Sequence, residues 1–341
     1  MNRFRVAIIG CGDIFPMHAV PINDLDCCEL VGVCDIKPEV VQQRARELNC
    51  RAYIDYRQMI EIEQPDVVHI CTPNFEHAPM AIFAAQHGAH ILCEKPMSVE
   101  YGDAVEMVQA AKDNAVTLGV IFQNRYNPGS VLIKSALDSG MLGKVYAGRL
   151  SVILNRPDEY YQNSGWKGTW EQEGGGVLIG QAMHTMDLMR WFVGDDIEYV
   201  DASIANRAHS QIEVEDSAEG VIKYKSGIIT TFFAVNYYTC DTPVELELHC
   251  QKGTAKLLGE KGTISFNDGR TLTADKNPSE AFRNGEQKQY YGVSHIKQIE
   301  NFYGTLKNNT QPDITGLEAL KTQKMVCGVY DSAKLGKRIL F

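Results

Sequence analysis

Four short stretches of this 341-residue chain carry residue types suited to moving a proton and a hydride. Glu94-Lys95-Pro96 closes an apolar run, HILCEK. Gly10-Cys11-Gly12 follows the run FRVAII, and Asp35 ends another, LVGVCD. Between 174 and 187, GGGVLIGQAMHTMD sets Gln181, His184 and Asp187 three residues apart in an otherwise apolar segment. Positions three apart share a face of a helix, so the three polar groups form one stripe. A lysine or a histidine accepts the proton of an alcohol when held within hydrogen-bond reach of it.

Pro96 biases Lys95 away from helical geometry, so the lysine is expected to project from a strand end. In an open α/β sheet that edge binds ligands. Gly10 and Gly12 fit the first two positions of the dinucleotide fingerprint, one for the tight turn and one for approach of a pyrophosphate to a helix N-terminus. The third position, usually small, is Phe15. Asp35 lies 23 residues after Gly12, near the roughly 20-residue offset of the acid that binds an adenosine ribose. A carboxylate there repels a 2′-phosphate, which favours NAD over NADP, and Lys37 softens that preference.

The elements that must position these groups change character along the chain. Apolar runs at 4–10, 30–35, 67–73, 90–95 and 117–123 alternate with helix-period segments at 38–49, 78–88 and 98–114. That alternation predicts a parallel, doubly wound sheet covered on both faces. After Asn127-Pro128-Gly129 the runs lengthen and alternate, at 144–154, 219–238, 244–250 and 261–268. In VELELHC, Val244, Leu246 and Leu248 face one way and Glu245, Glu247 and His249 the other, the pattern of an antiparallel sheet with one packed face. The expected organisation is an α/β domain over 1–123, then an α+β domain over 124–341.

A formal net charge of -10 argues against nucleic acid or an anionic membrane as the main partner. No apolar run approaches the roughly 18 residues of a spanning helix, and the N-terminal one is too short for a secretory signal. The 10 cysteines form no CxxC and are expected to be reduced thiols of a cytoplasmic protein. Without HExxH or clustered ligands, no metal is expected.

The chain resembles the glucose–fructose oxidoreductase/inositol dehydrogenase/MocA family nearly end to end. The resemblance lies in GCGDI, CTPNFEHAPMAIFAAQHGAHILCEKP, QNRYNP, WKGTWEQEGGGVLIGQAMHTMDL and ITGLEALKTQKMVCGVYDSA. It implies an N-terminal Rossmann domain and a C-terminal domain on a large, open, mainly antiparallel sheet that forms a homo-oligomer. It also implies oxidation or reduction of a carbinol carbon of a sugar, sugar derivative or cyclitol with NAD.

By position, the resemblance makes Lys95 and His184 catalytic. It places Gly10, Gly12, Asp13, Ile14, Asp35, Thr72, Pro73, Asn74, His77, Glu94, Lys95 and Gln123 at the cofactor, and Asn124, Tyr126 and Gln181 beside the substrate. The family frequently carries Asp four residues before the histidine. Here that position is Gly180, and branches lacking the Asp keep a glutamine like Gln181. The proton acceptor is then Lys95 or His184, and Asp187 orients His184 or closes a structural hydrogen bond. Aromatic and polar residues at 160–173 suit a pyranose, with Trp166 on its C–H face and Lys167 toward a phosphate or carboxylate, or else Trp166 and Trp170 pin the loop as core anchors. Two other readings are a redox-neutral glycosidase of lyase type and a non-catalytic dinucleotide sensor.

Overall fold

A computed structural model describes residues 3–194, 196–276 and 294–341. They divide into two compact units, residues through Gln123 with 294–321, and residues from Asn124 with Thr322–Phe341. The first unit therefore regains a late piece of chain that a single cut at 123 assigns to the second. The helix Ser294–Lys307 accounts for this. Its Ile299, Phe302 and Tyr303 are buried in the cluster that holds Val6, Ile8 and Ile22, as the apolar stripe of an amphipathic helix requires.

In the first unit, β1 (Phe4–Ile9), β2 (Cys28–Cys34), β3 (Arg51–Tyr53), β4 (Val67–Ile70), β5 (His90–Cys93) and β6 (Leu118–Val120) form one sheet. Its order is β3-β2-β1-β4-β5-β6 with every pair parallel. The connections reverse direction between β1 and β4, the switch point of a doubly wound sheet. The crossovers include α1 (Phe15–Asp24), α2 (Pro38–Leu48), α3 (Tyr56–Glu63), α4 (His77–Gln86) and α5 (Tyr101–Asp113). All five apolar runs became strands. The pattern missed β3 and α3, both short, and β3 shows no buried residue.

The second unit holds α6 (Pro128–Asp138), β7 (Val145–Ile153), α7 (Asp158–Gln162), α8 (Met183–Val193), β8 (Ile197–Ala205), β9 (Ser217–Tyr224), β10 (Ile229–Val235), β11 (Glu245–Cys250), β12 (Gly253–Leu258), β13 (Lys261–Phe266), β14 (Thr271–Ala274) and β15 (Ile339–Leu340). The strands form a 9-stranded sheet, β14-β13-β12-β11-β7-β10-β9-β8-β15, antiparallel except for β7 with β10. The alternation in β11 is realised. Leu246 and Leu248 are fully buried, while Glu245 and Glu247 pair with Arg149 at 3.2 and 2.9 Å on the other face. The 219–238 run is two strands, broken by a turn whose Gly227 has φ +93°. No helix among the described residues is long and apolar enough to cross a membrane.

Candidate active site

Gly10 leaves β1 at φ +94°, and a Cβ there would lie 2.5 Å from the Cys71 carbonyl oxygen, so only glycine fits. The next N–H, of Cys11, donates to Asp35 Oδ2 at 2.9 Å, and the Lys37 N–H donates to Oδ1 at 2.9 Å. Asp35 is thereby fixed between the glycine turn and the start of α2, with lone pairs left for a diol. A Cβ at Gly12 would meet nothing within 4 Å. Ile14, the N-cap of α1, supplies no side-chain cap; the Phe15 and Met17 N–H groups donate to the Gly12 and Ile14 carbonyls at 3.2 and 2.9 Å, and Pro16 has none. Gln123 Oε1, after β6, is a buried acceptor without a hydrogen-bond partner among the described residues. Open approach at Gly12, a fixed carboxylate and an orphaned acceptor all fit a dinucleotide.

Asp13 is exposed and Ile14 half-buried. Phe15, the departure from the fingerprint, is 2% exposed and shares a cluster with Val41 and Ala45 of α2, so its ring packs inward instead of blocking the turn. Burial, then the charge of Asp35, pushes the Cys11 thiol up to about 12, which keeps it protonated and inert.

Lys95 follows β5 and is half-buried. His77, at the start of α4, is a strut. Its Nδ1 lies 2.7 Å from the Pro96 carbonyl and its Nε2 2.8 Å from that of Thr72, tying the loop after β4 (Thr72, Pro73, Asn74) to the turn carrying Lys95. Burial pulls its imidazole below the ordinary value while the two carbonyls act the other way.

Glu94 turns inward. Its Oε1 lies 3.0 Å from His18 Nε2 and 3.4 Å from His295 Nε2, and its Oε2 accepts the Lys95 N–H at 3.3 Å. His18 Nδ1 meets His69 Nδ1 at 2.8 Å, and His69 Nε2 meets the Tyr303 hydroxyl at 2.9 Å. Burial pushes the Glu94 carboxyl up, but the hydrogen bond with His18 and the nearby His295 ring outweigh it and hold the group well below its ordinary range. Burial pulls His18 and His69 down, so both are neutral. One pattern then satisfies the line: Tyr303 donates to His69, His69 to His18, and His18 to the carboxylate. Sequence reasoning missed this chain, because its members meet only through parallel pairing and the late helix.

In the second unit, a Cβ on Gly175 would collide with the Tyr330 hydroxyl, and one on Gly176 with the Glu215 carbonyl. The glycines let the segment press against both. Glu215 in return accepts from the Gly176 and Leu178 N–H groups at 2.8 and 3.0 Å and from Tyr330 Oη at 2.9 Å, serving the helix start as a cap. Burial outweighs these hydrogen bonds and pushes its carboxyl up to about 7.

The helical stretch opens with a π-turn at Leu178–Ala182 before α8, a feature frequent at functional sites. From 177 to 190 only Gly180, Gln181 and His184 are not buried. The polar stripe therefore divides. Asp187 is 1% exposed and takes Arg125 Nε and Nη2 at 2.7 and 2.6 Å and the Thr322 hydroxyl at 2.7 Å, which is the structural alternative. Gln181 donates to Tyr160 Oη at 3.1 Å and accepts from Asn236 Nδ2 at 3.2 Å. Asn236 also donates to Tyr161 Oη at 2.7 Å; no signal in the sequence pointed to it. Asn124 and Tyr126, both half-buried, flank Arg125 in the short turn Gln123–Tyr126.

The aromatic stretch also divides. Trp170 is an anchor, its Nε1 donating to the Glu213 carbonyl at 3.0 Å and its ring edge-on to Tyr330. Trp166 is half-buried, and Lys167 Nζ lies 3.9 Å from the Tyr160 ring centroid and 5.6 Å from that of Trp166. Tyr160 joins this group to Gln181.

A glycine turn at the switch point of a doubly wound parallel sheet, with a carboxylate fixed at the end of the next strand, is the arrangement of a dinucleotide-binding unit. A sequence model described as "Oxidoreductase family, NAD-binding Rossmann fold" matches residues 4–122, and one for the "GFO/IDH/MocA C-terminal domain" matches 131–256. The chain belongs to the Gfo/Idh/MocA family of oxidoreductases, with NAD as cofactor. It is 26% identical to D-apiose dehydrogenase of Paraburkholderia graminis, over 99% of this chain and 90% of that one. It is 24% identical to myo-inositol 2-dehydrogenase of Thermotoga maritima, over 92% and 91%. The crystal structure of the WlbA dehydrogenase from Bordetella pertussis, in complex with NADH and UDP-GlcNAcA, is similar with a TM-score of 0.86 and 30% identity, covering 100% of this chain and 99% of that one.

Proposed function

We propose that this enzyme oxidises a ring hydroxyl of a sugar, sugar derivative or cyclitol to the ketone, or runs the reverse, with Lys95 and His184 handling the proton. The observation that carries the reading is the pair Gln181 and His184, the polar side chains left accessible between residues 177 and 190, where the other side chains are buried. When bound, NAD supplies the hydride acceptor. In this reading Lys95 contacts the reacting hydroxyl and accepts its proton, while His184 orients that hydroxyl or takes the proton itself. A base so placed contributes about 10²–10⁴-fold.

Gly10, Gly12, Asp13 and Ile14 hold the pyrophosphate, and Asp35 the adenosine ribose. Thr72, Pro73, Asn74, His77, Glu94, Lys95 and Gln123 build the nicotinamide end, with His77 and Glu94 acting through the backbone they fix. Gln181, held by Tyr160 and Asn236, offers its remaining amide capacity to a second hydroxyl. Asn124 and Tyr126 contribute further contacts. Trp166 covers a C–H face, and Lys167 meets an anionic substituent, so sugar acids and phosphates are favoured within the class. Exposed Phe233, Ile229 and Leu258 on the open face of the sheet support a homo-oligomer through that face. Ten free cysteines suit the cytoplasm.

The test is reduced-nicotinamide absorbance with NAD and a panel of pyranoses, sugar phosphates, inositols and UDP-sugars including UDP-GlcNAcA, alongside Lys95→Ala. A Lys95-dependent rise with one class is expected. NAD binding without any rise contradicts the dehydrogenase and favours the redox-neutral lyase or the sensor.

A further inference from the structure

Glu173 is a buried carboxylate that the reading above leaves without a task. It is 2% exposed and lies just before the three glycines. Its Oε2 accepts the Gly168 N–H at 2.6 Å, which fixes the side chain against its own loop. Its other oxygen points at the helix. A Cβ built on Gly180 would sit 3.2 Å from Glu173 Oε1. The face on which position 180 would display a side chain is therefore already furnished with a carboxylate, delivered from a different segment.

That face matters for His184. Side chains on a helix lean toward its N-terminus, so the residue four positions on covers the turn at 180. Gly180, Gln181 and His184 are also the accessible positions of this stretch. Glycine is a poorer helix former than alanine, and at 180 it makes room for the Glu173 oxygen. A fixed negative charge beside an imidazole favours the protonated ring.

We propose that Glu173 is a positioning residue for the reaction. It supplies, from the preceding loop, the carboxylate missing at position 180, and through it His184 is oriented and made able to hold the proton released by the substrate hydroxyl. The proposal rests on the dehydrogenase reading and adds to it the source of the carboxylate.

The experiment is a swap. Glu173→Gln keeps the shape and an acceptor for the Gly168 N–H but removes the charge. It is expected to lower kcat by roughly ten- to a hundredfold, the worth of one charged hydrogen bond, with KM nearly unchanged. Gly180→Asp in the native background crowds two carboxylates and should lower both activity and melting temperature. The double variant E173Q/G180D returns one carboxylate to the same space and should recover most of what each single change lost. A merely structural glutamate would not be rescued in this way.

The melting temperatures of the four proteins form a cycle that needs no substrate. Should the native protein reduce no NAD with any sugar, the dehydrogenase reading falls, and the cycle still decides the placement. Non-additive melting temperatures, with G180D tolerated only alongside E173Q, support it. Additive changes, or an unchanged kcat in E173Q, overturn it.

Discussion

Glu94 in the first unit and Glu215 in the second are both buried carboxylates behind a proposed catalytic side chain, yet their acidities move in opposite directions. Glu94 precedes Lys95 and is held well below its ordinary range by His18 and His295. Glu215 caps the helix of His184 and is pushed up to about 7. Its partners are two backbone N–H groups and a phenol. At Glu215 these three neutral donors do not outweigh the burial of the charge. The first unit spends imidazoles to keep a carboxylate ionised, and the second tolerates one that titrates near neutrality.

The largest expected effect sharpens this contrast with a third buried carboxylate, one that has a full cation as partner. Asp187→Ala removes the carboxylate that faces the buried Arg125 guanidinium and should cost about 3–5 kcal/mol, read by chemical denaturation of the whole protein. Next, Glu215 binds its proton more tightly folded than unfolded. Its effect on stability is therefore most favourable below the ordinary value of 4.5 and declines as pH rises toward about 7. By linkage the decline is about 3 kcal/mol. Glu215→Gln should remove that slope, and an unchanged slope would break the comparison.

Glu94 carries the opposite sign. Its contribution is present above pH 4.5 and lost as pH falls through its depressed folded value, and the neutral His18 and His69 add to the loss below 6.5. Glu94→Gln should cost about 1–3 kcal/mol at pH 7, much less in acid, with amide exchange at Lys95 as the local readout. The smallest effect concerns the cofactor alone. Asp35→Ser should weaken NAD by roughly 10- to 100-fold in titration and relatively favour NADP.

Much of this was legible in the chain. Gly10, Gly12 and Asp35 are constrained by local geometry, a turn and a strand end, and local geometry leaves spacing signatures. The helix of His184 announced itself by three-residue polar spacing. That spacing did not show that the stripe splits, with Asp187 turned to Arg125, because period alone does not say what packs against each turn. The line from Tyr303 through His69 and His18 to Glu94 was illegible, since it depends on strand order and on a helix returning from residue 294. Asn236 and Glu173 were illegible for the same reason. Each comes from a segment whose own pattern speaks of something else, a strand end and a loop.

The most direct test of the central claim follows the hydride. The substrate found in the panel would be supplied with deuterium at the carbinol carbon, and the reduced nicotinamide analysed by mass. The account predicts one deuterium in NADH, slower turnover than with the light substrate, and neither signal in Lys95→Ala. Conversion of the sugar with deuterium retained in the product and none in released NADH would contradict it.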